Sequence, residues 1–478
     1  MSVDWATLWP HLGNIAAWVA IFVIATGLLQ NALSLFQLAY AYRALRRRHV
    51  EPRTSALYDR LSDVAMPISL LAPAFNEEAT IVESVRSLLA LQYPTFEVIV
   101  VNDGSKDRTL DVLVEAFELR PVARAFESSV PHKPVRGIYG SPRYPRLLVV
   151  DKHNGGKADA LNAGMSVCRT PLFCAIDADS VLEPDALLRV VQPFIDDPQR
   201  TIAAGGTIRI ANGCKVRAGR VVEIGLPNRL LPLLQVMEYL RAFLMARLAW
   251  SELNALILIS GAFGIFRRAE AIEVGGYSLG TVGEDLELII KLHRHMRDKG
   301  RDYRISFIPE PVCWTEAPET LAVLGRQRSR WQRGALETFA KHRDMLFNRR
   351  YGRIGAIGMG NMLLVDVLSP IVEVLGYVLV PVFWALGLLS IEYLVAFVAV
   401  TFAFGVTVSV GSLILEELEL RRVTGPGGLM LLLLTAIIEN FGYRQLNNLW
   451  RIRGWWQFLR KSEAWGTMTR RGFATATS

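Results

Sequence analysis

Two aspartates one residue apart close an apolar run at Leu172-Phe173-Cys174-Ala175-Ile176-Asp177-Ala178-Asp179-Ser180. On an extended chain residues two apart point the same way, so both carboxylates can aim at one point. Against an apolar sheet such a pair is costly without a cation. Mg²⁺ or Mn²⁺ would supply it, because these ions take one or two carboxylates together with substrate phosphate oxygens. The plainer alternative is a solvated strand-to-helix turn in which Asp179 or Ser180 caps the helix running through Leu188.

Three further stretches bear on the same chemistry. In His153-Asn154-Gly155-Gly156-Lys157-Ala158-Asp159-Ala160-Leu161-Asn162 paired glycines let backbone approach a ligand, and Lys157 can meet phosphate where a helix starts. A glycine turn with a solvated lysine fits equally well. It is not a Walker A loop, since GxxxxGK[ST] is absent. Gly283-Glu284-Asp285-Leu286 opens a helix to about Arg297. Asp285 there either compensates the helix dipole or serves as a general base in reach of a hydroxyl. Gln327-Arg328-Ser329-Arg330-Trp331 lies on another helix. Its arginine and tryptophan form an ordinary cation–π pair, or offer a stacking face for a sugar and a guanidinium for diphosphate.

The surrounding pattern alternates strands and helices. Ile68–Ala74 reads as a strand, Glu77–Leu89 as an amphipathic helix and Glu97–Val101 as a strand ending in Asn102-Asp103-Gly104-Ser105. Asp107–Leu119 reads as a second helix. Such βαβ units build a largely parallel sheet, with ligands outside the carboxyl ends of its strands. Residues 120–146, with five prolines, read as a long excursion. The sheet resumes at Leu147–Val150, again over 201–210 and at Gly261–Phe266. Residues 227–259 mix apolar side chains with Arg229, Glu238, Arg241 and Arg247, as amphipathic helices on a membrane face do; helices in a soluble core are the alternative.

The chain has 478 residues and is 51% hydrophobic, with the apolar excess concentrated at residues 15–42 and about 355–448. That is the pattern of a large aqueous domain between membrane spans. Residues 1–14 hold no Lys or Arg, whereas Arg43, Arg46, Arg47 and Arg48 follow the first span. The positive-inside rule then places the N-terminus outside and the next domain in the cytosol. Residues 355–389 read as an interfacial helix and a span broken around 366–370, followed by spans at 393–415 and 428–448. Three full spans would leave Arg451–Arg471 outside, against the charge rule, so either 428–448 is re-entrant or 355–389 crosses twice. The polar set Glu439, Asn440, Tyr443, Arg444, Gln445, Asn447 and Asn448 lines a cavity or anchors at the interface. Net charge is +8 and clusters at membrane flanks, which suits anionic lipid headgroups; no basic, aromatic-studded face suggests nucleic acid. Cys168, Cys174, Cys214 and Cys313 show no zinc spacing and read as buried thiols in a reducing compartment.

The order VNDGS (101–105), NGGKADALN (154–162), DAD (177–179), GED (283–285) and QRSRW (327–331), flanked by spans, resembles the processive membrane glycosyltransferases of family 2. These include cellulose, chitin, hyaluronan and poly-N-acetylglucosamine synthases, and the NGGKADALN stretch looks most similar to the last. The resemblance covers about 68–340. It implies an α/β GT-A (Rossmann-like) cytosolic domain inserted between transmembrane helices, with amphipathic interface helices, and an inverting mechanism on a UDP-linked sugar, UDP-GlcNAc or UDP-glucose. Asp103 would contact the nucleobase or ribose. Asp179 and Asp177 would serve the metal and diphosphate, with Lys157 near the phosphates. Asp285 would be the base with Glu284 beside it, and Gln327, Arg330 and Trp331 would hold the acceptor end and the leaving diphosphate. Family members commonly carry Thr where this chain has Gly283, which puts acceptor placement in question. The expected organisation is an N-terminal span and basic flank (1–50), the catalytic domain (51–345), C-terminal membrane and interface helices (346–450) and a basic tail (451–478), in a multi-pass plasma-membrane protein. Its partners would be the nucleotide sugar, a growing polysaccharide, membrane lipids and accessory membrane or export subunits. The competing expectations are single addition to a lipid acceptor and a non-catalytic membrane scaffold.

Overall fold

The computed structural model describes residues 5–47, 58–59, 61–177, 180–217, 219–420 and 425–461. Its strands are β1 (Ile68–Ala74), β2 (Phe96–Asn102), β3 (Arg120–Pro121), β4 (Val135–Gly140), β5 (Leu147–Lys152), β6 (Leu172–Ile176), β7 (Val181–Leu182), β8 (Thr201–Ile210), β9 (Lys215–Arg217), β10 (Arg220–Glu223), β11 (Phe263–Arg267) and β12 (Arg304–Thr315). Ten form one sheet in the order β3-β4-β5-β2-β1-β6-β11-β8-β12-β7, while β9 and β10 pair separately. β5, β2, β1 and β6 run parallel, as do β8 and β12. β11 lies antiparallel between β6 and β8. The βαβ pattern accounts for the parallel part. β11 is reached from the helices over 230–252 rather than by a crossover, so it enters the sheet from the opposite end.

β6 is buried at every position, as a central strand covered on both faces must be, and its Phe173 stacks on Phe266 of β11 at 5.3 Å. The proline-rich stretch 120–146, expected to hold no element, contains β3 and β4, which extend the sheet edge antiparallel to β5. An edge tolerates Pro121 because one side of the strand needs no ladder hydrogen bond. The expected helix from Glu77 starts instead at Ile81, after a turn with Asn76 at φ +56°.

The N-terminal apolar stretch is a single helix, Trp5–Arg47. Among the described residues, three helices are long and apolar enough to cross a membrane: His11–Arg47, Ile354–Ala385 and Ile391–Glu417. Ile354–Ala385 is continuous, contrary to the break expected near 366–370. π-Helical turns over Met362–Leu368 run on into Ser369–Ala385 with Pro370 near its start; the N–H that Pro370 lacks is made up by side chains, Gln332 Nε2 donating to the Asp366 carbonyl at 2.5 Å and Arg451 Nη2 to the Val365 carbonyl at 2.6 Å. The stretch 428–448 is not one straight span. Gly425–Ile438 and Tyr443–Leu459 meet at 56°, and Tyr443–Leu459 packs along the helix Leu321–His342: Ser329 Oγ donates to the Trp450 carbonyl at 2.9 Å, and Arg451 Nε to Gln332 Oε1 at 2.8 Å. Largely buried ion pairs of Arg209 with Glu416 and Arg241 with Glu439 join the sheet and the helix Leu230–Tyr239 region to the C-terminal helices.

Candidate active site

A cleft of about 1320 Å³ opens at the carboxyl ends of the parallel strands. Its walls include Asp103, Lys157, Asp177, Glu284, Asp285, Gln327, Arg330 and Trp331. Eight of the nine residues singled out by the motifs therefore meet at one place; the ninth, Asp179, lies outside the described residues. Topology explains the convergence. β2 ends at Asn102 and β6 at Ile176, so Asp103 and Asp177 emerge on the same edge. The register Phe263↔Ile176 brings the start of antiparallel β11, preceded by Gly261, to that edge as well.

Asp103 is buried and its carboxylate is committed within the chain. Oδ1 accepts from Gly155 N at 3.0 Å and Lys152 Nζ at 2.6 Å, and Oδ2 from Gly156 N at 2.7 Å and Asn154 Nδ2 at 3.1 Å. Gly156 has φ +90°, a conformation glycine adopts at little cost, and this turns its N–H onto the carboxylate. The geometry makes Asp103 the anchor of the glycine loop, and the same residue lines the cleft. Lys152, which no motif marks, is fully buried between Asp103 and Asp159. A lysine closing the apolar strand LLVVDK was the available sign.

Lys157 opens the helix Lys157–Val167. Its Nζ lies 2.5 Å from Asp177 Oδ1, 3.6 Å from Glu284 Oε1 and 3.3 Å from the Gly261 carbonyl. Burial opposes the ammonium charge, but Asp177, Glu284 and Asp285 outweigh it and raise the lysine's pKa. Glu284 is buried and its pKa is raised, chiefly by desolvation, with Lys157 acting against the rise. Asp285 is the more open of the two acids. Its Oδ2 accepts from Gly261 N at 2.9 Å and Oδ1 from Leu286 N at 2.8 Å, so its direction is fixed by backbone.

The opposite wall is the helix Leu321–His342. Gln327 and Trp331 are four apart and share a face; Trp331 is 45% exposed, a bare ring in a cleft. The cation on that ring is Arg328, 4.2 Å from its centroid and paired with Glu238 at 2.7 Å. Gly283 also finds its reason here: a Cβ on it would lie 3.1 Å from Gly334 Cα. Backbone-to-backbone packing of Gly283 on Gly334 seats the acidic turn directly on the tryptophan helix. Farther along, the cleft is lined by Asn361, Asp366, Asn447 and Arg451 from the C-terminal helices. Among the described residues, Gln327 Oε1, Asn361 Oδ1 and Asn447 Oδ1 are buried without a hydrogen-bond partner.

The residues suit a divalent cation in donor type. Asp177 offers hard oxygen, and the strand end already holds an ammonium between two carboxylates. Among the described residues no three His, Cys, Asp or Glu side chains surround one point, so such an ion would depend on Asp177, Asp179 and ligand oxygens.

The sequence model of Glycosyl transferase family 2 matches residues 69–270, and that of Glycosyl transferase family group 2 matches residues 172–410, half of the chain. The chain belongs to glycosyl transferase family group 2. Curated relatives are the poly-beta-1,6-N-acetyl-D-glucosamine synthases of Staphylococcus epidermidis and Staphylococcus aureus, each 28% identical over 275 residues. The match covers 57% of this chain and 56% of theirs, so the chain spans about half the length of the curated relatives it matches. Among solved structures, the mannosyltransferase PcManGT from Pyrobaculum calidifontis, in complex with GDP-Man and Mn²⁺, shares the fold with a TM-score of 0.55 at 18% identity. That comparison covers 95% of this chain and all of the other. The GT-A expectation holds, as does the likeness to the poly-N-acetylglucosamine synthase branch.

Proposed function

We propose that the protein is an inverting glycosyltransferase that extends a polysaccharide from a UDP-linked sugar, UDP-GlcNAc in preference to UDP-glucose. The observation that carries this is one cleft with a fixed carboxylate, Asp285, on one wall and an exposed Trp331 on the other. The names of the curated relatives support the N-acetylglucosamine donor. Asp285 accepts the acceptor proton, and Glu284 and Lys157 set the charge around it. Asp177 and Asp179 hold Mg²⁺ or Mn²⁺ and Arg330 meets the diphosphate; the ion, when bound, supplies charge neutralisation for the leaving group. Asp103 shapes the donor pocket through the glycine loop. Gln327 and Trp331 hold the terminal sugar of the acceptor.

Beyond Trp331 the cleft runs on between candidate membrane helices, where the amide oxygens of Asn361 and Asn447 have no hydrogen-bond partner and Asp366 is answered by Arg451. Amides exchange hydrogen bonds with sugar hydroxyls without binding them as tightly as charges would, which suits a sliding polymer. The reading includes export through these helices, lipid contact at the basic flanks and a cytosolic catalytic domain with the N-terminus outside. The bent pair Gly425–Ile438 and Tyr443–Leu459 is then re-entrant, keeping the basic tail on the cytosolic side in agreement with the charge rule. Incubation of the detergent-purified chain with radiolabelled UDP-GlcNAc or UDP-glucose and Mn²⁺ tests the reading. Long insoluble product from one donor supports it. A single sugar added to extracted lipid would replace it with the lipid-acceptor alternative.

A further inference from the structure

Asp285 stands at the start of the helix Glu284–Asp298, and the chain reaches it through residues 274–283, a loop with glycine at 275, 276, 280 and 283. A glycine-rich loop outside helix and strand costs entropy to fix, so side chains must pin it. Asn162 pins its first half: Oδ1 accepts from Tyr277 N at 2.8 Å and Nδ2 donates to the Tyr277 carbonyl at 2.9 Å. Glu337, which no motif marks and which is not among the residues that wall the cleft, pins the second half. Its Oε2 accepts from the Thr281 hydroxyl at 3.0 Å and from Val282 N at 3.2 Å. The Thr281 oxygen accepts in turn from Gly283 N at 3.2 Å, and Glu337 Oε1 lies 3.4 Å from Arg333 Nε. The backbone that leads directly into Glu284 and Asp285 thus hangs on one carboxylate of the helix Leu321–His342. Three residues before Glu337 on that helix is Gly334, packed on Gly283. Three before that is the exposed ring of Trp331.

We propose that Glu337 is a positioning residue for Asp285: through the Thr281 hydroxyl and the Val282 N–H it sets where the base stands relative to a sugar on Trp331. This rests on the glycosyltransferase reading above. In the transfer step the acceptor hydroxyl gives its proton to Asp285 as its oxygen bonds to the anomeric carbon. The bond from that carbon to the diphosphate breaks, with the electron pair leaving on the diphosphate. The acceptor is then held from two sides, its ring by the helix Leu321–His342 and its proton by the turn at 283–285, so the separation of those two parts has to be fixed. Packing of Gly283 on Gly334 resists compression but not separation. Hydrogen bonds to a charged carboxylate resist separation, and Glu337 supplies them at the turn itself. Lys341 joins Glu287 at 2.7 Å one helical turn farther on, so removal of Glu337 loosens the turn without parting the helices. The donor side, built on Asp103 and the glycine loop, makes no contact that runs through Glu337.

The test compares Glu337→Ala, Glu337→Gln and Thr281→Val in the full-length, detergent-solubilised chain, reading kcat for sugar transfer and, separately, the Kd for UDP-GlcNAc. Glu337→Ala is expected to lose at least about tenfold in kcat, approaching the roughly 10²-fold that about 1 Å of misplacement costs, with donor affinity unchanged. Glu337→Gln keeps an oxygen that accepts from Thr281 and Val282, and should recover most of that loss. Thr281→Val removes the hydroxyl alone and should fall between the two. A parental kcat in Glu337→Ala, a Gln variant as slow as Ala, or donor affinity that falls in step with kcat while Tm is kept would each overturn the role. Should Glu337→Ala fail to fold, seen as a lost donor site and a lowered Tm, Thr281→Val decides: a reduced kcat with parental donor affinity supports the role and a parental kcat overturns it. A parent chain that transfers from no nucleotide sugar defeats the underlying reading instead, and is seen before any variant is made.

Discussion

The two walls of the cleft are built by different means. On the strand-end wall Asp103, Asp177 and Asp285 are held mainly by backbone N–H groups and lysines. Asp103 is clamped by the backbone of Gly155 and Gly156, Asp285 by Gly261 and Leu286, and Asp177 by Lys157. On the helix wall the contacts join elements far apart in sequence: Arg328 and Tyr443 converge on Glu238, and Gln332 links Arg451 to the backbone of Asp366. The first wall is a rigid frame for charge. The second is a surface of rings and amides whose shape depends on how the C-terminal helices dock. Donor chemistry should accordingly fail through charge, and acceptor handling through packing.

The largest effect should come from the metal. Treatment with EDTA is expected to abolish turnover and Mn²⁺ or Mg²⁺ to restore it; full activity in EDTA would remove the ion from the strand-end wall. Next, Asp285→Asn keeps size and removes the base, so elongation should fall at least ~100-fold with donor affinity intact. Glu284→Gln should do less, since Glu284 is buried against Lys157. The reverse ranking would exchange their roles.

Packing across the two walls is probed by Gly334→Val. A Cβ there would stand 2.9 Å from Gly283 Cα, too close for backbone to accommodate, and overpacking costs about 1–3 kcal/mol. The expected outcome is a loss of roughly tenfold in transfer with UDP still bound, read by comparing kcat with nucleotide affinity. If transfer is unaffected, contact between the acidic turn and the tryptophan helix does not matter to acceptor placement. Trp331→Ala belongs on the same wall: loss of one stacking platform should shorten product chains while donor affinity is preserved, and equal product lengths would take the ring out of the acceptor site.

The smallest effect concerns stability rather than rate. His293 is buried with Nδ1 facing the Tyr303 hydroxyl at 2.7 Å and Nε2 facing the Leu256 carbonyl at 2.8 Å, and burial lowers its pKa from 6.5 to about 4. The unfolded chain then binds a proton more readily than the folded one between those values. The His293 contribution to stability is complete above about pH 6.5 and declines as pH falls toward 4, by at most about 1.4 kcal/mol per unit. Melting temperatures over that range should show a slope that His293→Gln reduces; an unchanged slope assigns it to other groups.

Short-range patterns carried the strand-end half of the molecule. β1 and β8 fall where apolar runs bounded by turn residues place them, because a strand buried on both faces needs continuous apolar side chains. DAD, NGGK and GED announced themselves because a charge adjoining an apolar strand or a glycine loop is locally anomalous. What lay beyond a linear reading is whatever depends on the partner of a residue. The commitment of Asp103 to its own loop, the hidden Lys152 and the meeting of Gly283 with Gly334 are contacts between segments about 50 residues apart. The edge strands β3 and β4 are written in a proline-rich stretch that only pairing with β5 makes extended. Whether 428–448 is straight or bent likewise depends on the helix Leu321–His342 against which its second half packs. Composition can make a segment apolar enough for a membrane, but direction within it is set by the surface it meets.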